Sequence, residues 1–104
     1  MDNFRVIYKI LKYLEQAMDY DEPDLDRISA DALGISEQRR VAIMEMLARE
    51  GYIDGMTVKR STDGNVTISN PHPRITLRGL EYLQENSAMQ KAARLAKGIA
   101  EIVT

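Results

Sequence analysis

Leu47-Ala48-Arg49-Glu50-Gly51-Tyr52-Ile53 and Ile75-Thr76-Leu77-Arg78-Gly79-Leu80-Glu81-Tyr82-Leu83 are the two stretches that decide how this chain folds. The first leaves a helix through a glycine and enters a strand; the second leaves a strand and enters a helix capped by Thr76. The segment between them reads as a hairpin. Met56 and Val58 alternate with Thr57 and Lys59 on a strand predicted over residues 52–60. Ser61-Thr62-Asp63-Gly64-Asn65 is a turn carrying the Asp-Gly hairpin signal. Val66 and Ile68 then alternate with Thr67 and Ser69, Asn70-Pro71-His72-Pro73 interrupts pairing, and Arg74-Ile75 resumes it.

Working toward the N-terminus, residues 37–50 form a helix whose core face is Val41, Met44, Leu47 and Ala48. Ser36 is its N-cap, and Arg39 stands at the third helical position, where a capping box places Glu. Ser29 caps a short helix to Leu33, which Gly34 closes. A short helix, a glycine turn and a longer helix make a helix-turn-helix, whose second helix normally enters the DNA major groove. Leu25-Asp26-Arg27-Ile28 reads as a short extended piece. Residues 4–18 read as an amphipathic helix with Ile7, Leu11, Leu14 and Met18 on one face, widened by Val6, Ile10 and Ala17. The acidic run Asp19-Tyr20-Asp21-Glu22-Pro23-Asp24 is a solvated linker; it lacks the glycine and terminal Glu of a calcium loop.

Beyond Asn86-Ser87, residues 88–103 read as a last helix, with Met89, Ala92, Leu95, Ala96, Ile99, Ile102 and Val103 on its apolar side and Lys91, Arg94 and Lys97 opposite. It is expected to pack on the first helix, to pair with a second copy of the chain, or both. The expected fold is therefore α+β and mostly helical: one winged helix-turn-helix domain over residues 1–104. The helix-turn-helix covers about 29–50 and the β-hairpin wing about 52–76. C-terminal helices, including one extra to the basic fold, cover about 77–103.

Composition narrows the function classes. The 104 residues suit a single domain with one core. No apolar run approaches the ~20 residues of a membrane span, and Met1-Asp2-Asn3-Phe4-Arg5 does not read as a secretory leader, so a cytoplasmic protein is expected. Cysteine is absent, which excludes disulfides and thiolate metal sites. The formal charge of -2 is unusual for a protein that grips nucleic acid by bulk electrostatics, but it is unevenly spread. Residues 1–35 sum to -4, residues 36–78 to +2, and residues 79–104 to zero.

Gly34-Ile35-Ser36-Glu37, Leu47-x-Arg49-Glu50-Gly51-Tyr52-Ile53 and Ile75-Thr76-Leu77-x-x-Gly79-x-x-Tyr82-Leu83-x-x-Asn86 together resemble a winged helix. More narrowly, the chain is similar to the YjcQ family of small proteins of Gram-positive bacteria and their prophages, from about residue 5 to about residue 100. The resemblance implies a winged helix with an extra C-terminal helix and, through the wider superfamily, a DNA-binding, often regulatory role. Carried over from that superfamily, the exposed early turns of the recognition helix are Glu37, Gln38, Arg39, Arg40 and Ile43. The wing is Lys59, Arg60, Ser61, Thr62, Asp63 and Asn65.

The candidate nucleic-acid-binding residues are Gln38, Arg39, Arg40, Lys59, Arg60 and Arg78. Arg39 and Arg40 have the bidentate chemistry for guanine or phosphate. The rival account has one of them covering core with its stem and pairing with Glu37 or a linker acid, and the spacing of Arg40 to Met44 and Leu47 points it inward. Gln38 matches adenine, or is simply solvated. Lys59 and Arg60 grip phosphate, or belong to a mobile polar wing. No catalytic constellation, cofactor motif or metal ligand set can be assembled: His72 stands between two prolines without a cysteine, and no Ser lies in a nucleophile elbow. Tyr20, Tyr52 and Tyr82 are expected to be partial core.

The expected function is a DNA-binding bacterial or prophage regulator, with double-stranded DNA as partner and a homodimer through the C-terminal helix. The alternative is a protein-interaction module that keeps the scaffold without binding nucleic acid. A continuous positive band joining Arg39, Lys59, Arg60 and Arg78 favours the first; an interrupted or acidic face favours the second.

Overall fold

The computed structural model describes residues 3–69 and 71–87. Helix α1 spans Asn3–Gln16 and continues as a 3-10 turn, Ala17–Asp19. A second 3-10 turn, Leu25–Ile28, leads into α2, Ala30–Leu33, and α3, Glu37–Arg49. Four short strands follow: β1 Ile53–Asp54, β2 Thr57–Arg60, β3 Val66–Ser69 and β4 Arg74–Ile75. Residues 77–87 form α4. The order is α+β, a helix-turn-helix followed by a hairpin wing and a further helix. The helix predicted over residues 88–103 lies outside the described residues.

Val6, Ile10, Leu11 and Leu14 of α1 are buried against Ile28, Leu33, Ile43, Met44 and Leu47, with Ile53 and Leu83 closing the cluster. Burial of these side chains is the main stabilising term, on the order of 2 kcal/mol each. Met18, predicted to extend the apolar face of α1, is exposed, because the α-helix tightens into the 3-10 turn at Ala17 and rotates the next side chain outward. Tyr20, expected in the core, is likewise exposed on the acidic linker. The piece Leu25–Ile28 is a 3-10 turn, not extended, because the Asp24 carboxylate accepts from the Asp26 N–H at 3.1 Å and starts it. Tyr13 anchors the same linker: its hydroxyl accepts from the Asp24 N–H at 2.6 Å, and Arg27 lies over its ring.

The caps of the helix-turn-helix form as the sequence implies. Ser29 Oγ accepts from the Ala32 N–H and Ser36 Oγ from the Arg39 N–H, both at 3.1 Å. Gly34 ends α2 at φ 71°, and the Ile35 N–H reaches back to the Ala30 carbonyl at 3.0 Å.

The strand predicted over residues 52–60 is two strands. β1 pairs with β4, Ile53 opposite Ile75, while β2 pairs with β3, Val58 opposite Ile68 and Arg60 opposite Val66. The break is at Gly55, φ 83°, whose carbonyl accepts from the His72 N–H at 3.1 Å. A Cβ there would stand 2.0 Å from the His72 carbonyl oxygen, so no side chain fits beside the Pro71–Pro73 crossing. β1–β4 thus forms the base of the wing on the core, and β2–β3 its projecting arm.

One junction holds base, α3 and α4 together. The Tyr52 N–H donates to the Leu47 carbonyl at 2.9 Å, and the Tyr52 carbonyl accepts from the Thr76 N–H at 3.1 Å. Thr76 Oγ1 donates to the Gly51 carbonyl at 2.6 Å and accepts from the Gly79 N–H at 3.1 Å, capping α4 while holding the end of α3. Gly79 packs directly on this junction: a Cβ there would lie 2.4 Å from the Tyr52 carbonyl oxygen and 2.6 Å from Ile75 Cγ1. The Tyr52 and Tyr82 rings, 5.3 Å apart between centroids, cover it.

Two substitutions separate this junction from helix propensity. Propensity alone makes Gly79→Ala stabilising by about 1 kcal/mol; the steric conflict reverses the sign, and urea denaturation should show a net loss of about 1–3 kcal/mol. A gain would contradict the close approach. Thr76→Val keeps the shape and removes both hydroxyl bonds, and should cost about 1–2 kcal/mol in the same measurement.

Candidate nucleic-acid interface

Helix α3 buries Ile43, Met44 and Leu47, so positions 38, 42, 45 and 49 form the opposite, outward side. Ile43, expected among the exposed recognition residues, is buried at 1% exposure and belongs to the core face, whereas Val41, expected on that face, is half-buried and lines the groove toward the wing. Gln38 and Arg39 are exposed as expected. Arg39 Nη1 donates to Asn3 Oδ1 at 3.2 Å, linking the start of α3 to the start of α1.

Arg40 takes the inward course. Its Nε and Nη2 donate to the two Glu37 carboxylate oxygens at 3.2 and 2.9 Å, and its stem lies along a cleft lined by Leu25, Ile28, Met44 and Ile68. The stem covers apolar surface while the head is neutralised by Glu37, the alternative that the helical spacing suggested. Hydrogen bonding from Arg40 holds the Glu37 carboxyl below its ordinary pKa.

The wing places Lys59 and Arg60 at the end of β2, before the turn. That turn is tied by Ser61 and Asn65, whose backbone groups bond at 2.8 Å, and by Asp63, which accepts from the Ser61 hydroxyl and the Asn65 amide. The Ser61 hydroxyl bond is the main reason the Asp63 carboxyl is held below its ordinary pKa. Arg60 Nη2 reaches across to Glu45 Oε1 on α3, and Arg49 Nη2 donates to the same oxygen at 2.7 Å. Between wing and helix runs a groove of about 390 Å³ lined by Gln38, Val41, Ala42, Glu45, Arg60 and Val66, among others.

Arg78 stands apart. It lies over the Tyr52 ring, 5.3 Å from the centroid, beside Gly51 at the C-terminal end of α3, whereas Arg39 occupies the first turn. A 13-residue helix is about 20 Å long, and Glu45 lies between these ends. Arg39 and Arg78 therefore stand near opposite ends of α3 with the Glu45 carboxylate between them, and the band joining Arg39, Lys59, Arg60 and Arg78 is interrupted. Arg49 was not singled out from the sequence, although its four-residue spacing to Glu45 and eleven-residue spacing to Gln38 place all three on one face. His72 is an exposed loop residue between its prolines. Among the described residues no helix is long and apolar enough to cross a membrane.

No curated protein matches the chain, and no solved structure matches it. A family model described as YjcQ protein matches residues 8–102, from the middle of α1 through the helix-turn-helix, wing and α4. By a match over nearly its whole length, the chain belongs to the YjcQ family.

Proposed function

We propose that this protein is a duplex-DNA-binding module, a regulator of bacterial or prophage genes working in the cytoplasm. The observation that carries the reading is the shared face of α3 and the wing. Gln38 and Arg49 are exposed on the outward side of the helix, Arg60 reaches that side from the hairpin, the two elements flank one groove, and Arg39 and Lys59 are exposed on the faces next to it. Gln38 has the donor and acceptor pair that suits adenine in the major groove, and the four cations suit backbone phosphates. Arg40, committed to Glu37 and the core, has no direct part in this reading, and Arg78 is a flanking contact at most. The apolar periodicity of residues 88–103 suits a homodimer, which would set two recognition helices at a fixed half-site spacing.

A second reading, a protein-interaction module, is favoured by the interruption of the positive band between Arg39 and Arg78 and by the ion pairs that interrupt it. Glu37 and Glu45 each hold arginine, and the groove floor between them carries Val41, Ala42 and Val66. Such a surface suits a partner side chain as well as a sugar-phosphate backbone.

A fluorescence-anisotropy titration on a mixed-sequence duplex separates the two. The DNA reading expects micromolar binding at about 50 mM salt and a log–log salt slope of about -3, from roughly three neutralised phosphates. Arg39→Gln and Lys59→Gln should each weaken binding severalfold and flatten that slope by about one. No binding at about 100 μM protein, where non-specific contact already registers, would exclude the DNA reading and leave the second.

A further inference from the structure

We propose that Arg49 and Arg60 together form one backbone-phosphate site, and that Glu45 is its intramolecular occupant. The proposal rests on the DNA reading above and adds a residue and a restraint to it. Arg49 comes from the last turn of α3 and Arg60 from the end of β2, yet both guanidinium groups converge on the same oxygen, Glu45 Oε1. An anion between two guanidinium groups offsets their mutual repulsion, and here the Glu45 carboxylate is that anion. The arrangement also has a direction. The Glu45 side chain is 12% exposed, whereas those of Arg49 and Arg60 are 60% and 62% exposed. The carboxylate sits beneath, and the two planar heads stand above it on the side of α3 opposite Ile43, Met44 and Leu47.

Each guanidinium has five N–H donors, of which the carboxylate uses only some. Both heads are largely exposed, which leaves the remaining donors accessible to the two non-bridging oxygens of a phosphodiester. Glu45 thus does two opposed things. It fixes the spacing of the fork and closes the wing onto the recognition helix, and it leaves the triad with a charge of +1 instead of +2. A phosphate approaching the fork competes with a carboxylate already satisfied. The net acidity of the chain and the DNA-binding architecture then cease to conflict: binding is attenuated by a charge placed inside the site. The ligand is a duplex phosphate rather than a free one, because the fork is shared by a helix and a hairpin that bracket a groove.

The test is anisotropy on the same duplex, across a salt series, for the wild type and for Glu45→Gln, with Glu50→Gln as a control. Glu50 is exposed at the end of the same helix, so the control removes one negative charge without touching the fork. Circular-dichroism melts establish that each variant is folded. Glu45→Gln should bind about five- to tenfold more tightly at low salt, with a slope steeper by about one. Glu50→Gln should change affinity less than about twofold. Adding Arg49→Gln or Arg60→Gln to the Glu45→Gln protein should abolish the gain. Inorganic phosphate, matched to chloride in ionic strength, should displace the duplex no better than chloride does; selective displacement would assign the fork to a free phosphate and overturn the duplex assignment. If the wild type binds DNA and Glu45→Gln gains no more than Glu50→Gln, the occupied-site proposal fails while the DNA reading stands. If neither wild type nor Glu45→Gln binds, both fail.

Discussion

The structure depends on a single backbone crossing, the place where the chain leaving α3 meets the chain entering α4. The Tyr52 carbonyl takes the Thr76 N–H, the Thr76 hydroxyl bridges the Gly51 carbonyl and the Gly79 N–H, and Gly79 offers no side chain to push them apart. Residues 52–76 are thereby closed into a loop whose two ends are fixed to the core. A hairpin of two four-residue strands is marginal by itself in water. Anchored at that crossing and at Gly55–His72, it projects from a rigid base and stands beside α3. The helix–wing face exists only because of this anchoring.

Electrostatics shapes the face that the anchoring creates. Carboxylates on α3 engage three of its neighbouring arginines: Glu37 takes Arg40, and Glu45 takes Arg49 and Arg60. Exposed ion pairs of this kind add little stability, commonly under ~1 kcal/mol, so their effect is better read in geometry and charge. Arg40 is drawn over the core and out of any interface. Arg49 and Arg60 are held on the surface with their charge partly offset. The consequence is a side of α3 and the wing whose positive charge is partly offset by its own carboxylates.

Much of the fold was legible because its determinants are local. Ser29, Gly34, Ser36 and Gly64 each act within about four residues of themselves, as does Thr76 in capping α4, and each takes the turn or cap its type implies. Non-local determinants were not legible. The strand over residues 52–60 reads as continuous until the His72 carbonyl is seen against Gly55, seventeen positions earlier in the chain. Met18 fits the helical period perfectly but follows a change of helix type that periodicity does not register. The site shows the same division. Inward placement of Arg40 followed from its spacing to Met44 and Leu47, whereas the meeting of Arg60 with Glu45 joins two elements across fifteen positions. Arg49 was hidden for the complementary reason: within its helix it reads as an ordinary i,i+4 partner of Glu45, and only the wing gives it a second role.

The most direct test of the account is a heteronuclear NMR titration of the ¹⁵N-labelled protein with a mixed-sequence DNA duplex. Amide and arginine side-chain shifts should concentrate on Gln38, Arg39, Ala42, Arg49 and the wing from Lys59 to Asn65, leaving the linker around Tyr20 and Asp24 unmoved. Shifts centred on that linker, or no shifts at saturating duplex, would contradict it.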